Sequence, residues 1–514
     1  FNDLPTQNTV SWNALIVGYV ENGNNKEALH CFQEMHLDGV LRDTITFVFV
    51  LKACSNIGIM TINLEMHSII VKEGHDKDSF VANGLVDMYA KHGLFEESLL
   101  IIVKLPTNDA IPWNALISGY IDHGLDQEAL KCIEEMQIRD IPQDVATFIY
   151  GLKACGNLGF IERGLELHTW ISKLKLETDI LIGNALLAMY VKWGSTSEAQ
   201  QLFDVLPIQD VVSWNTLIAG YSEHGQSEKA IAIFEKMEQR GVVSDAFSYV
   251  SFLKACGNLC AKGKGQEIHI KIMKKEAENY VIGISLIEMY AKCGLLDEAQ
   301  EMFRELQAHD VVSWTSLIGG NVEKGHPEEA LKCFEQMQSE GLYPDDITFL
   351  CVLSACTHSG LLDEAQMIFA SMTRRFGVTP NVKHHTCMVM VFGHGGHFDE
   401  AISMINIMPS LHNPSIWLAL LGACRKWGNM NLGRLAFDQV IQLDTRVASA
   451  YILMANIFTA VGMQEDAERI EAMWLKYADW SNQGHHGLMQ VETSGNMICK
   501  DELYFHNVCS LDGN

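Results

Sequence analysis

The chain has 514 residues, 48% of them hydrophobic, with a formal net charge of −27. That apolar content supports extensive burial and excludes a disordered chain. No apolar run reaches the roughly 18 residues of a membrane span, and so large an acidic excess opposes nucleic-acid binding, where cationic side chains normally supply most of the affinity.

The amino end, Phe1 to Asn8, does not begin with methionine and carries neither an Arg-rich amphipathic presequence nor a signal peptide; it reads as the end of a repeat that precedes the chain. From Ser11 the sequence runs SWNALIVGYVENG, and the pattern returns as PWNALISGYIDHG from Pro112, SWNTLIAGYSEHG from Ser213 and SWTSLIGGNVEKG from Ser313. Trp12, Trp113, Trp214 and Trp314 are therefore 101, 101 and 100 residues apart, and Cys54, Cys155, Cys256 and Cys356 keep the same steps. A third series, GLVDMYAKHG at Gly84, ALLAMYVKWG at Ala185 and SLIEMYAKCG at Ser285, interleaves with these two. Each superperiod thus contains three distinct repeats, in the length range of stacked supersecondary elements.

Within the first repeat, Trp12, Leu15, Ile16 and Tyr19 fall at helical spacing and Gly23 ends the helix. Ala28, Leu29, Phe32 and Met35 make the apolar stripe of a second helix. A lone helical hairpin cannot bury both of its faces, whereas a stack of hairpins can. The expected fold is all-α, a right-handed α-solenoid superhelix of helix-turn-helix repeats with one set of helices lining its concave side.

Asparagine is a poor helix-interior residue because its amide competes for backbone groups, so Asn13, Asn114 and Asn215 at one helical position need a reason. Either the amide satisfies a buried neighbour or caps a turn, or its donor and acceptor meet the edge of a base.

The three motif series and the lengths of 35, 35 and 31 residues resemble the plant pentatricopeptide repeat proteins of the subclass that alternates standard, long and short repeats. The resemblance implies twelve repeats, at 9–43, 44–78, 79–109, 110–144, 145–179, 180–210, 211–245, 246–279, 280–310, 311–345, 346–381 and 382–413, after a remnant at 1–8. Two further hairpins at 414–474 look like the helical extension of the RNA-editing members, and 475–514 like a degenerate end of it, with GLMQVETSGN as a short β-like piece. In this family the fifth and last residues of a repeat together select one nucleotide of single-stranded RNA. By that rule Asn13 with Asp43, Asn83 with Asp109, Asn114 with Asp144, Asn184 with Asp210 and Asn215 with Asp245 are the combination associated with uracil. Thr315 with Asp345 is associated with guanine, and Thr386 with Asn413 with adenine. The apolar Val48, Ile149, Val250 and Leu350 of the long repeats read little, and Ile284 leaves its short repeat silent.

Each aspartate also stands where an N-cap is favoured, and a cap leaves one carboxylate oxygen over. Val10, Ile111, Val212 and Val312 either sandwich bases or belong to the core, and Lys91, Lys192 and Lys292 either touch phosphates or complement helix carboxyl termini. Glu27, Glu128 and Glu228 open second helices and are expected to face outward.

No chemistry is expected of the chain itself. A His-x-Glu followed by Pro-Cys-x-x-Cys, the zinc-deaminase set, is missing; Cys256 with Cys260 and His384 with His385 have the wrong spacing, and His485 and His486 lack a third ligand. The fourteen cysteines, none in a Cys-x-x-Cys, read as reduced core thiols, and no cofactor is expected. The resemblance therefore implies a non-enzymatic, sequence-specific RNA-binding protein that marks a cytidine for C-to-U editing in an organellar transcript. Its partners would be a deaminase-domain protein of the same family acting in trans and organellar editing accessory factors, in the mitochondrion or alternatively the chloroplast, with no membrane contact. The other readings are a protein-binding scaffold like the tetratricopeptide arrays and a family member acting in RNA splicing or stability.

Overall fold

The computed structural model describes residue 1 and residues 7–105, 109–274, 279–408 and 413–481, with side chains to residue 475. Among these residues the chain forms twenty-eight α-helices and a 3-10 turn at Leu176–Thr178, without a β-strand. GLMQVETSGN, His485 and His486 lie outside the described residues, as does most of the remnant at 1–8. The chain divides into two compact units, Phe1–Asp245 and Ala246–Asn514.

In the amino-terminal unit, first helices at Thr9–Glu21, Thr44–Ile57, Ser79–Lys91, Ala110–Asp122, Val145–Leu158, Ile180–Lys192 and Val211–Glu223 alternate with seven second helices, so the unit is a row of hairpins. Their starts follow from capping. Asp43 and Asp144 each accept the amide three residues on, and a threonine there returns its hydroxyl to the cap backbone. Where the helix Thr44–Ile57 stops, Gly58 takes φ 76°, a left-handed turn that costs a glycine no Cβ clash. Trp12, Ile16 and Val20 of a first helix and Ala28, Phe32 and Met35 of its partner are buried together. Consecutive first helices also pack on one another, making one continuous layer, and the second helices Asn25–Leu37 and Asp126–Ile138 pack most extensively against the first helix of the next hairpin.

The layer is tight at one recurring place. A Cβ built on Gly119 would lie 2.7 Å from Ala90 Cβ and 2.8 Å from its carbonyl, and one on Gly220 would lie 2.6 Å from Val191 Cγ1. Gly119 of Ser-Gly-Tyr and Gly220 of Ala-Gly-Tyr are therefore the contacts of their Trp-bearing helices with the preceding first helix.

The carboxy-terminal unit repeats the plan with first helices Ala246–Asn258, Tyr280–Lys292, Val311–Glu323, Asp346–Ser359 and Val382–His394. Two more hairpins follow, Pro414–Trp427 with Met430–Leu443 and Ala448–Ala460 with Gln464–Ser481.

Candidate nucleic-acid interface

Asn13 lies one turn into its helix and is 7% exposed. Its Nδ2 donates to Asp43 Oδ1 at 2.9 Å, and its Oδ1 accepts the Thr46 hydroxyl at 2.6 Å. The same Asp43 oxygen caps the next helix, accepting the Thr46 amide at 2.9 Å. Asn114, Asp144 and Thr147 repeat the arrangement, with 2.9 Å from Nδ2 to Asp144 Oδ1 and 2.8 Å from the Thr147 hydroxyl to Asn114 Oδ1. Asn215 Nδ2 donates to Asp245 Oδ1 at 3.0 Å. Asn13, Asn114 and Asn215 therefore do satisfy a neighbour, and that neighbour is the aspartate with which each was paired.

The cap and the pair share Oδ1, so Oδ2 of Asp43 and of Asp144 has no partner among the described residues. Burial pushes both carboxyls up. The donated bonds from the Thr46 or Thr147 amide and from the asparagine outweigh it and hold both below the usual carboxylate range. The pairs thus present a carboxylate, charged at neutral pH, at a constant register.

In the carboxy-terminal unit Thr315 Oγ1 lies 2.7 Å from Thr348 Oγ1, and Thr348 donates to Asp345 Oδ1 at 2.7 Å. Thr315 reaches its aspartate through that relay. Other expected pairs differ. Asn184 Nδ2 lies 3.2 and 3.4 Å from the two Asp210 oxygens, and Asn184 Oδ1 is buried with no partner. No hydrogen bond joins Asn83 to Asp109, whose Oδ1 accepts the Ile111 amide at 3.2 Å. Thr386 and Asn413 are not joined either: Thr386 is buried and donates to the Val382 carbonyl of its own helix at 2.9 Å, while Asn413 caps the helix Pro414–Trp427. In the hairpin with Ile284, burial together with the neighbouring Asp310 carboxylate pushes the Tyr280 phenol up to about 12.

Val10, Ile111, Val212 and Val312 are not core. They are 53 to 75% exposed, beside the polar pairs, because they sit second in their helices while the tryptophans two residues on point inward. Ile45, Phe80 and Leu181 in the first unit, and Phe247, Val281 and Ile347 in the second, are exposed at the same place. Aligning all the repeats, not only those with tryptophan, would have revealed this row. Glu27 and Glu228 are exposed and Glu128 half-buried. The three lysines are held locally: Lys91 by Asp87 at 2.8 Å, Lys192 by Asn157, and Lys292 by Glu288 at 2.9 Å and Asn258 at 3.2 Å.

His384 and His385 are buried, and burial lowers the His384 pKa while its Nε2 bonds the Asp346 carbonyl at 2.8 Å. His326-Pro327-Glu328 does have the His-x-Glu spacing, but it opens the helix Pro327–Ser339, and no Pro-Cys-x-x-Cys follows. Among the described residues no three His, Cys, Asp or Glu side chains are grouped to hold a metal ion, and no helix is long and apolar enough to cross a membrane.

Stacked hairpins in which a polar pair and an exposed apolar side chain recur at the same place define a helical-repeat protein. Residues 7–56, 209–258 and 309–358 match the PPR repeat family, and residues 111–141, 284–311, 347–375 and 384–412 match the PPR repeat. A pentatricopeptide repeat-containing protein of Arabidopsis thaliana is 34% identical over 517 residues, covering 98% of this chain and 62% of that protein's length. A second from the same plant is 32% identical over 517 residues, covering 99% of this chain and 73% of its own length. A third, named chloroplastic, is 32% identical over 507 residues, covering 92% of this chain and 68% of its own. The crystal structure of the pentatricopeptide repeat protein PPR10 in complex with an 18-nt psaJ RNA element shares the fold, at TM-score 0.52 and 16% identity over 92% of this chain and 85% of that one. The chain belongs to the pentatricopeptide repeat family.

Proposed function

We propose that the chain binds single-stranded RNA by sequence, one nucleotide for each hairpin that carries a polar pair, over repeats divided as at 9–413. The observation that carries this reading is the recurrence of Asn13–Asp43, Asn114–Asp144 and Asn215–Asp245 at one register, each beside an exposed aliphatic side chain that can stack on a base. PPR10, which shares the fold, was crystallised with RNA. In the order of the chain, the pairs Asn–Asp, Thr–Asp and Thr–Asn give 5′-UnUUnUUnnGnA-3′ as the matched RNA.

The hairpins from Pro414 resemble the editing-type extension, so we assign the chain to marking a C-to-U site for a deaminase supplied in trans, with organellar accessory factors, in the mitochondrion. With a net charge of −27 and Lys91, Lys192 and Lys292 held by neighbours, the chain binds modestly and weakens steeply with salt. Fluorescence anisotropy with the matched RNA and a scrambled RNA of equal composition tests the reading. Preference for the matched RNA is expected, and equal binding would return the chain to the protein-scaffold reading.

A further inference from the structure

Thr46, Thr147 and Thr348 each stand third in the helix that follows a reading residue, and none was singled out by sequence. They are 0, 1 and 0% exposed, so none can touch a ligand. Each nevertheless bonds the reading residue of the preceding hairpin through its hydroxyl and the aspartate beside it through its backbone amide. We infer that these threonines are positioning residues that fix the donor–acceptor polarity of Asn13, Asn114 and Thr315, and so decide between bases of the same shape; the inference rests on the RNA reading proposed above.

The bookkeeping of protons carries it. Asp144 Oδ1 already accepts the Asn114 Nδ2–H and the Thr147 amide, so the Thr147 proton goes to Asn114 Oδ1. Turning the Asn114 amide over would set its oxygen against the carboxylate. The amide is held at both ends, and it offers a ligand one N–H and one lone pair at fixed places. Uracil presents N3–H beside a carbonyl where cytosine presents bare N3 beside an amino group, so the two bases invert donor and acceptor at one outline. A held amide pairs with one order and leaves the other with an unmatched polar group. Asn184 is held at one end only, by longer bonds to Asp210, and its buried Oδ1 has no partner. That asparagine can adapt to either pyrimidine.

The relay at Thr315 follows the same logic. Thr348 gives its single proton to Asp345, so Thr315 gives its own to Thr348 and keeps only lone pairs for a ligand. The N1–H and N2 amino group of guanine suit such an acceptor, and the bare N1 of adenine does not.

The test is a set of dissociation-constant ratios measured on the 514-residue chain, with the matched RNA and with single changes in it. Changing uracil to cytosine opposite Asn114, the fourth base, is expected to weaken binding about tenfold, within the range of one well-placed base contact. The same change opposite Asn184, the sixth base, weakens it about threefold or less. In Thr147→Val the fourth-base ratio falls to about twofold while the sixth-base ratio stays, and Thr147→Ser restores it. Because both RNAs are compared on one variant, a loss of folded protein cancels from the ratio. Thr46→Val with the first base, and Thr348→Val with guanine changed to adenine at the tenth, repeat the measurement if Thr147→Val does not fold. Unchanged ratios in these valine variants, or equal penalties at the fourth and sixth bases of the unaltered chain, overturn the inference and leave the RNA reading intact. No preference for matched over scrambled RNA overturns both.

Discussion

Asn114 and Asn184 occupy the same place one turn into their helices, yet one is clasped between two side chains and the other leans on one. The difference begins outside the helix that carries the asparagine. After Asn114 the second helix Asp126–Ile138 has 13 residues, and the chain returns so that Thr147 meets the asparagine. After Asn184 the second helix Thr196–Val205 has 10, and the third residue of the next helix, Ser213, spends its hydroxyl on the Asp210 carbonyl at 2.8 Å. The clasp thus goes together with a longer second helix on the other layer and a threonine at the third place of the next helix.

The largest expected effect breaks the contact between the two kinds of hairpin. Gly119→Val forces a side chain into Ala90 and should cost about 3 kcal/mol, read as a lower midpoint in urea denaturation. An unchanged midpoint would show that the helices do not approach as described. Next, Asp144→Ala removes the cap on the Thr147 amide and strands the Asn114 Nδ2–H as well, for about 2 kcal/mol, whereas Asp109→Ala removes only the bond to the Ile111 amide, for about 1 kcal/mol. Equal losses would erase the distinction between clasped and unclasped pairs. Smaller again, Tyr280→Phe takes the hydroxyl from Asp310 in the hairpin whose asparagine is replaced by Ile284, at about 0.5–1 kcal/mol in the same assay. No loss there would mean that the phenol contributes nothing in place of the missing amide.

The last expectation is a trend with pH. The Asp144 carboxyl titrates below the ordinary aspartate value of 3.8, so its contribution is fully present above that pH and fades as the pH falls through the lower folded value. The stability gap between the unaltered chain and Asp144→Ala should therefore be constant from pH 7 to about 5 and narrow below about 3.8. A gap that widens on acidification would reverse the sign of the shift.

The fold was legible because its signals are local and repeated. Trp12 and Cys54 recur at steps near one hundred residues, Asp43 stands where a helix must begin, and the apolar stripe from Ala28 to Met35 has helical spacing. The pairing of Asn13 with Asp43 came from the family rule, and it became a hydrogen bond only through the return of the second helix. What stayed hidden is the placement of side chains one or two positions apart, or in different repeats. Val10 and Trp12 are both apolar, and only their angle around the helix axis sends one out and the other in. Asp43-x-x-Thr46 reads as a capping box, and nothing in those four residues tells that the threonine also reaches an amide 33 positions back. Thr386 looks like Thr315 in sequence, but no hydroxyl follows it at the third place of the next helix, where Ile416 stands, so it turns to its own backbone.

The clasp also bears on what can be shuffled. A cut between Asp144 and Val145, at the seam where one motif ends and the next begins, divides Asn114 from Thr147. Duplication or exchange of a single motif would carry off the asparagine and leave its clasp behind, with whatever residue the new neighbour brings. The piece that travels intact runs from the start of one motif to the fourth residue of the next, so adjacent pieces overlap. Grafts joined after Phe148 should keep the hydrogen bonds that grafts joined at Asp144 lose.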